Sequence, residues 1–148
     1  MKNLFRALRG QTVAVDTMVF IYAFEEHPVY LPFLRSFFQE VEKGNLEATT
    51  STITLTECLV QPYRKKDMVL AARYIVLFRN FPHLSVLPVT DEIAERAAIL
   101  RAAYGLKTPD AIQLATALIS ASHAFLTNDE GMPEIEGIQV LILDRDLK

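Results

Sequence analysis

Hydrophobic and polar positions along this chain follow two alternating patterns. Short runs of β-branched and apolar residues predict buried strands at 12–15, 46–50, 84–89, 123–127 and 138–143. Segments with apolar residues three and four positions apart predict helices at 17–24, 29–41, 51–60, 67–80, 90–104 and 108–122. Strands that alternate with helices favour parallel pairing, because each return to the same sheet edge needs a crossover. We therefore expect an α/β fold with a helix-flanked, mostly parallel sheet.

Cap and turn residues mark the ends of several predicted helices. Pro62 is expected just beyond the helix that begins near Ser51. The sequence Thr108-Pro109-Asp110 predicts a helix start with a hydroxyl cap, a proline in the first turn and an acid at the positive end of the dipole. The segment between the last two strands, 128–137, has the composition of a turn.

Composition and charge narrow the class of protein. Half of the 148 residues are hydrophobic (51%) and 22% are charged, which is typical of a compact globular chain. This length matches the commonest size of one domain, so residues 1–148 are expected to form a single domain. The formal net charge of −3 provides no overall positive field for nucleic acid, so such binding needs a local basic patch.

Several features favour a cytoplasmic protein. Cys58 is the single cysteine, which excludes an intrachain disulfide, and its apolar neighbours predict a small core residue. The basic residues near the N-terminus are not followed by the apolar run of a signal peptide. No apolar stretch approaches the roughly 20 residues that a membrane-spanning helix needs, so we expect no membrane insertion.

Four acidic residues stand where predicted elements meet. They lie at the end of the first strand, inside an apolar helix, at the start of a later helix and after a late strand: Asp16, Glu57, Asp110 and Asp129. In open α/β sheets, ligands bind at such junctions beside the carboxyl ends of strands. Carboxylates gathered in one pocket repel and raise each other's pKa values, so a divalent cation is their natural partner.

The type of metal follows from the chemistry of the ligands. Carboxylate oxygens favour Mg²⁺ or Mn²⁺ over zinc. With one cysteine and three scattered histidines, the chain has no spacing of zinc ligands. We therefore expect Mg²⁺ or Mn²⁺ at the acidic pocket.

Each acid also has an ordinary structural explanation. Asp16 is a suitable cap for the following helix, and Thr54 with Glu57 has the spacing of a capping box. The helix dipole favours an acid at position 110, and Asp129 occupies a segment of turn residues. Individually these structural roles are the better explanations. The metal-site prediction therefore depends on the four acids together.

Four local motifs surround these acids. In chain order they are Val13-Ala14-Val15-Asp16-Thr17 with Phe20-Ile21-Tyr22-Ala23, then Thr54-Leu55-Thr56-Glu57, then Thr108-Pro109-Asp110-Ala111-Ile112-Gln113-Leu114-Ala115-Thr116-Ala117, and finally Leu126-Thr127-Asn128-Asp129. The whole pattern resembles the PIN-domain nucleases, and within them the VapC-like toxins of bacterial and archaeal toxin–antitoxin pairs. The resemblance covers nearly the full chain, and its third and fourth motifs are the most specific.

The resemblance implies both a fold and an activity. It implies a three-layer α/β/α PIN-like domain that hydrolyses RNA with Mg²⁺ or Mn²⁺. By this resemblance, Asp16, Asp110 and Asp129 are direct or water-bridged metal ligands, and Glu57 is a ligand or orients the attacking water. All four would be catalytic. The expected partners are an RNA substrate, an antitoxin that neutralises the protein, and a second copy in a homodimer or higher even oligomer.

The chain departs from the family pattern at three positions. Met18 stands where relatives usually carry a small polar residue that helps to order the metal's water, so weaker metal binding or altered activity is expected. Gln113 occupies a place often held by histidine, and Met132 replaces a frequent aromatic. Thr17 and Thr127 are possible supporting hydrogen-bond donors, although threonine at a strand end is more often structural.

An acidic pocket needs cations nearby to attract RNA. The candidates for phosphate contacts are Arg64, Lys65 and Lys66, with Arg73, Arg79 or Lys107. For any one of these residues, a solvated charged face is the more common role.

Two other classes of function compete with the nuclease. One is a catalytically weak or inactive RNA- or protein-binding module that kept the acids while Met18 blunted catalysis. The other is a phosphoryl-transfer or receiver-type domain, since these folds also end their first strand in an aspartate. The absence of a glycine-rich phosphate loop and the Thr-Asn-Asp sequence at 127–129 argue against the second class.

Overall fold

The computed structural model describes residues 2–147, with five strands in one sheet. The strands are β1 Thr12–Val15, β2 Glu47–Ser51, β3 Leu84–Leu87, β4 Ala124–Thr127 and β5 Gln139–Ile142. The helices are α1 Lys2–Leu8, α2 Thr17–Phe24, α3 Leu31–Glu42, α4 Thr52–Arg64, α5 Met68–Asn80, α6 Asp91–Tyr104, α7 Thr108–Ile119 and α8 Leu143–Asp146. The strand order is β3-β2-β1-β4-β5 and every pairing between these strands is parallel. The predicted α/β class is confirmed.

Two apolar cores cover opposite faces of the sheet. Successive residues of β1 alternate between them, with Val13 and Val15 in the first core and Ala14 in the second. The first core gathers residues of α1 to α5, and the second gathers residues of α6 and α7. A parallel sheet needs such cover on both faces. The molecule therefore has the three-layer α/β/α arrangement that the sequence predicts.

The topology brings several chain junctions to one edge of the sheet. The chain moves outward from β1 to β2 and β3, then returns to the other side of β1 to form β4 and β5. The carboxyl ends of β1 and β4 therefore flank the point where the strand order reverses, which is where open α/β sheets bind ligands. The N-terminus of α7 also lies at this edge, because α7 runs back to the start of β4.

Some helix boundaries differ from the prediction. Pro62 lies inside α4 rather than beyond it, and its buried ring shows that packing outweighs its low helix propensity. Thr108 does not cap α7: the cap position is Lys107, and its side chain makes no cap hydrogen bond. Thr90 does cap α6 as predicted, accepting from the Ile93 amide at 3.2 Å. The short helices α1 and α8 were not predicted.

Two further sequence expectations concern single features. Cys58 is a buried free thiol of the first core, as predicted, and burial raises its pKa to about 12. Among residues 2–147, no helix is both long and apolar enough to cross a membrane.

Candidate active site

Asp16 lies where β1 ends and α2 begins. Its Oδ1 accepts a hydrogen bond from the Thr17 amide at 2.8 Å, so the predicted helix cap is confirmed. Its Oδ2 accepts from the Thr127 hydroxyl at 2.7 Å, which joins the ends of β1 and β4. The residue is only 8% exposed. Asp16 is thus fixed at the strand-order reversal, and each of its carboxylate oxygens accepts one hydrogen bond from the protein.

The electrostatics of Asp16 reflect its burial and its acidic neighbours. Burial raises the pKa of Asp16 from 3.8 to about 6, even though the hydrogen bonds from Thr127 and Thr17 lower it. The negative charges of Asp110 and Glu57 raise it further. A carboxylate this costly to ionise is one that a cation at the same place would stabilise.

Asp110 lies in the first turn of α7, half-buried, at the same edge of the sheet. Burial raises its pKa, and the charges of Asp129 and Glu57 add to that increase. The nearby charge of Lys107 acts in the opposite direction. Asp110 therefore interacts electrostatically with all three of the other acids, because its charge also raises the pKa of Asp16.

Glu57 lies at an exposed position of α4, and its carboxylate contacts the residue that follows Asp16. The Thr17 hydroxyl donates to Glu57 Oε1 at 2.8 Å. The predicted capping box of Thr54 and Glu57 is wrong, because Ser51 caps α4 by accepting from the Ile53 amide. Glu57 thus contacts the start of α2 rather than the start of its own helix.

Asp129 lies in the exposed turn after β4. Its Oδ1 accepts from the Gly131 amide at 2.9 Å, which confirms its predicted role as a turn residue. Its own amide donates to the Thr127 hydroxyl at 3.1 Å. The Thr127 hydroxyl therefore contacts Asp129 and Asp16 together.

The four acids form a set linked by charge, graded from buried to exposed. Asp16 is buried, Asp110 is half-buried, and Glu57 and Asp129 are exposed. The geometry is open: within residues 2–147, no three His, Cys, Asp or Glu side chains stand close enough to chelate a metal ion together. Mg²⁺ commonly keeps several waters and binds through only one or two carboxylates. The donor set fits a hydrated ion of this kind.

We predict that Thr127→Val destabilises the protein. The variant removes two hydrogen bonds of the Thr127 hydroxyl: the one it donates to Asp16 Oδ2 and the one it accepts from the Asp129 amide. Unsatisfied buried partners cost about 1–3 kcal/mol, so the free energy of unfolding should fall by about that amount in urea titrations at pH 7. Thr127→Ser keeps the hydroxyl and is the matched control. Equal stability of the Val and Ser variants would contradict this role.

A second set of polar residues at the site was underrated in the sequence. Gln113 is 2% exposed on α7, and its Nε2 lies 2.6 Å from Thr54 Oγ1 and 3.1 Å from Thr17 Oγ1. The sequence predicts Thr54 as a capping residue and as part of the second motif, not as a partner of Gln113. The available signal was a glutamine on the apolar face of a helix, since a buried amide needs partners.

The turn that carries Asp129 is also tied to the C-terminal helix. Asn128 Nδ2 donates to the Tyr30 hydroxyl at 3.0 Å, and that hydroxyl donates to Asp144 Oδ1 at 2.7 Å. The amide of Asp144 donates to Asn128 Oδ1 at 3.0 Å. Helix α8, which the sequence pattern missed, thus holds the end of β4.

The candidate phosphate-binding cations lie in different parts of the structure. Lys107 lies near Asp110, close enough for its charge to affect the pKa of that carboxyl. The cluster Arg64, Lys65 and Lys66 is exposed at the end of α4. Arg73 and Arg79 are exposed on α5. Of the six candidates, Lys107 is therefore the one whose charge acts on an acid of the site.

Of the three departures from the family pattern, two are core residues. Met132 is 5% exposed and belongs to the second core, and Gln113 joins the buried polar set. Met18 is 41% exposed, two residues after Asp16. Its apolar side chain therefore lies at the surface near the site.

Comparisons with known proteins agree with this architecture. The sequence profile of the PIN domain matches residues 13–138. A comparison with curated proteins gave no significant match. Among solved structures, a chain of a toxin–antitoxin complex from Klebsiella pneumoniae is similar at 25% identity and a TM-score of 0.65, over 85% of this chain and 94% of that one.

Two other solved structures share the fold at lower identity. A chain of VapBC2 from Rickettsia felis, bound to a promoter DNA fragment, has 15% identity and a TM-score of 0.71 over 88% of this chain and 98% of that one. A chain of FitAcB from Neisseria gonorrhoeae has 20% identity and a TM-score of 0.63 over 90% and 99%. The profile match spans most of the sequence and includes all four acids. The chain belongs to the PIN-domain family.

Proposed function

We propose that this protein is a metal-dependent endoribonuclease that hydrolyses RNA phosphodiester bonds at Asp16, Glu57, Asp110 and Asp129. The observation that carries the proposal is that Asp16 and Asp110 lie buried or half-buried at the strand-order reversal of the sheet, where the charges of neighbouring acids raise the pKa of both. Perturbed carboxylates clustered at such an edge are typical of functional sites. Membership of the PIN-domain family supports the same chemistry.

The proposed cofactor is Mg²⁺ or Mn²⁺. The available donors are carboxylate oxygens, which suit these ions. We assign Asp16, Asp110 and Asp129 as ligands, directly or through water, and Glu57 as a ligand or as the group that orients the attacking water. When bound, the ion supplies positive charge that lowers the pKa of a water and offsets the charge developing on the phosphate.

The protein's own residues prepare the site for this chemistry. Thr127 holds the Asp16 carboxylate by its Oδ2, and the Thr17 amide holds Oδ1. The Thr17 hydroxyl holds Glu57 by Oε1, which leaves Oε2 for a water. Lys107 is the proposed contact for an RNA phosphate next to Asp110, because it provides local positive charge on a chain of net charge −3.

We also propose that the protein is a toxin neutralised by a partner antitoxin. The support is that similar chains occur in a toxin–antitoxin complex from Klebsiella pneumoniae and in a member of the VapBC family of toxin–antitoxin systems from Mycobacterium tuberculosis. An apolar groove between α2, α3 and α5 is the proposed antitoxin site, and it is lined by Phe20, Phe24, Leu34, Phe38, Leu77 and Phe81. Neutralisation predicts that a protein encoded beside this gene copurifies with the chain and suppresses its RNA cleavage.

Exposed apolar side chains support self-association. Val60 and Tyr63 lie three positions apart on α4 and therefore share one face of that helix, where they are 40% and 48% exposed. Apolar surface of this kind is commonly covered at a subunit interface. We propose a homodimer or a higher even oligomer, which light scattering of the purified chain measures directly.

The second candidate function is a catalytically weak binding module, and Met18 is the observation that favours it. An exposed thioether cannot order water as a small polar side chain does. If Met18 limits catalysis, Met18→Asn should raise the rate of metal-dependent RNA cleavage several-fold without changing the thermal midpoint. Met18→Leu is the apolar control. An unchanged cleavage rate in Met18→Asn would show that Met18 does not limit catalysis.

The experiment that tests the proposed nuclease is cleavage of a mixed RNA pool by the purified chain. Parallel reactions contain Mg²⁺, Mn²⁺ or EDTA. Cleavage in the metal reactions that EDTA abolishes is the expected result. Binding of the RNA pool without any cleavage would favour the binding module instead.

A further inference from the structure

A chain of hydrogen bonds connects helix α7 to Glu57. Gln113 Nε2 lies 2.6 Å from Thr54 Oγ1 and 3.1 Å from Thr17 Oγ1. Thr17 Oγ1 lies 2.8 Å from Glu57 Oε1. These contacts join α7, α4 and the start of α2 beneath the acidic site.

The chemistry of the groups fixes the direction of each bond near Gln113. An amide nitrogen has two protons and no available lone pair, so the oxygens of Thr17 and Thr54 must accept from Gln113. Each threonine hydroxyl then has only its own proton left to donate. For Thr17, the acceptor of that proton is the Glu57 carboxylate, 2.8 Å away.

The hydroxyl of Thr54 donates its hydrogen bond to Thr50 rather than to Thr17. The Thr50 hydroxyl donates to the Val15 carbonyl at 2.8 Å, so its oxygen is free to accept. Thr54 Oγ1 lies 2.8 Å from Thr50 Oγ1 and is therefore the donor in that contact. The direction of every hydrogen bond in this network is therefore fixed, and each donated proton has one acceptor.

We propose that Gln113 is a positioning residue for Glu57, acting through Thr17. By donating to the oxygens of Thr17 and Thr54, the Gln113 amide holds the Thr17 hydroxyl in place with its proton directed at Glu57 Oε1. This inference depends on the proposed function, since it assigns a role within that same site. Gln113 is only 2% exposed, so it acts on the site through Thr17.

The proposal explains why a buried amide stands at this point of α7. Without Gln113, the Thr17 hydroxyl loses one of its donors and faces a Thr54 Oγ1, 3.1 Å away, that has both lone pairs open. Its proton would then be shared between Thr54 and Glu57. The Glu57 carboxylate would lose a fixed donor and, with it, its orientation toward the site.

The test is a double-mutant cycle on Gln113→Met and Thr17→Val, with the affinity for Mn²⁺ measured by calorimetry. Loss of a group that orients a ligand typically weakens metal binding by about 10–100-fold. We expect about tenfold in each single variant and no further loss in the double variant, because both remove the same link. With RNA, kcat should fall while KM stays unchanged.

Two further variants separate positioning from packing. Thr17→Ser keeps the hydroxyl and should recover most of the Mn²⁺ affinity that Thr17→Val loses. Thr116→Val removes a different buried hydroxyl of α7, one that donates to the Ile112 carbonyl at 2.7 Å, and should also leave the affinity unchanged. Wild-type affinity in Gln113→Met, additive losses in the double variant, or an equal loss in Thr116→Val would each overturn the proposal.

A stability measurement separates failure of this inference from failure of the proposed function. A wild-type chain that takes up no Mn²⁺ contradicts the metal site itself. The hydrogen-bond chain is then read from urea unfolding in EDTA, where Gln113→Met and Thr17→Val should destabilise the protein non-additively. Additive effects in EDTA would overturn the link between Gln113 and Thr17.

Discussion

Asp110→Asn is expected to lower metal-dependent RNA cleavage by more than about 100-fold, which exceeds the usual effect of changing a group that only orients a ligand. The substitution removes a charge at the centre of the acidic set, because Asp110 senses both Asp129 and Glu57. The amide keeps nearly the same shape, so the fold should survive. Single-turnover cleavage with Mg²⁺ and with Mn²⁺ measures the loss.

The matched control for this variant is Asp91→Asn. Asp91 is an exposed acid in the first turn of α6, as Asp110 is an acid in the first turn of α7. Both changes remove a favourable interaction with a helix dipole, and only Asp110 belongs to the acidic set. Comparable losses of activity in the two variants would show that helix stability, rather than the site, explains the result.

Asp16→Asn is expected to stabilise the metal-free protein at neutral pH. The pKa of Asp16 is about 6 in the folded chain against an ordinary value of 3.8, so the native state holds this proton more tightly than the unfolded state. The free energy of unfolding therefore falls as pH rises from about 4 to about 6. At about 1.36 kcal/mol per pKa unit, the loss is about 3 kcal/mol.

The variant lacks this titration and should keep the lost stability. In EDTA, Asp16→Asn should be more stable than the wild type by about 3 kcal/mol at pH 7.5, and the gain should disappear near pH 4. Asp67→Asn is the control, because Asp67 caps α5 by accepting from the Leu70 amide while remaining exposed. A gain in Asp16→Asn that does not depend on pH would refute the assignment.

The fold was predictable because its strands and helices have strong, opposite patterns. The strand at 12–15 is entirely apolar or β-branched, and alternation of strands with helices dictated parallel pairing. The short helices α1 and α8 escaped prediction because seven and four residues carry too few turns for a helical period. The predicted end of α4 before Pro62 was wrong because helix propensity is a weak guide where tertiary packing determines the length of a helix.

The acids of the site could be found from sequence, but their supports could not. The carboxylates stand at element junctions, and topology alone brings those junctions to one edge. Which hydroxyl holds which carboxylate depends on packing between distant segments, as with Thr127 and Asp16, 111 positions apart. Gln113 and Thr17 are 96 positions apart, and no local pattern relates them.

Family membership also resolves the choice between architectures. A receiver-type or phosphoryl-transfer domain shares an aspartate at the end of β1, and the first motif alone did not exclude it. The PIN-domain match over residues 13–138 includes the later motifs around Asp110 and Asp129 and assigns the chain to a different family.

The most direct test of the account is anomalous diffraction from crystals of the protein soaked in Mn²⁺. The account predicts a peak beside Asp16, within direct or water-bridged reach of Glu57, Asp110 and Asp129, and no such peak in crystals of Asp110→Asn. A wild-type crystal that is saturated with Mn²⁺ elsewhere, or that shows no peak at these acids, would contradict the central claim.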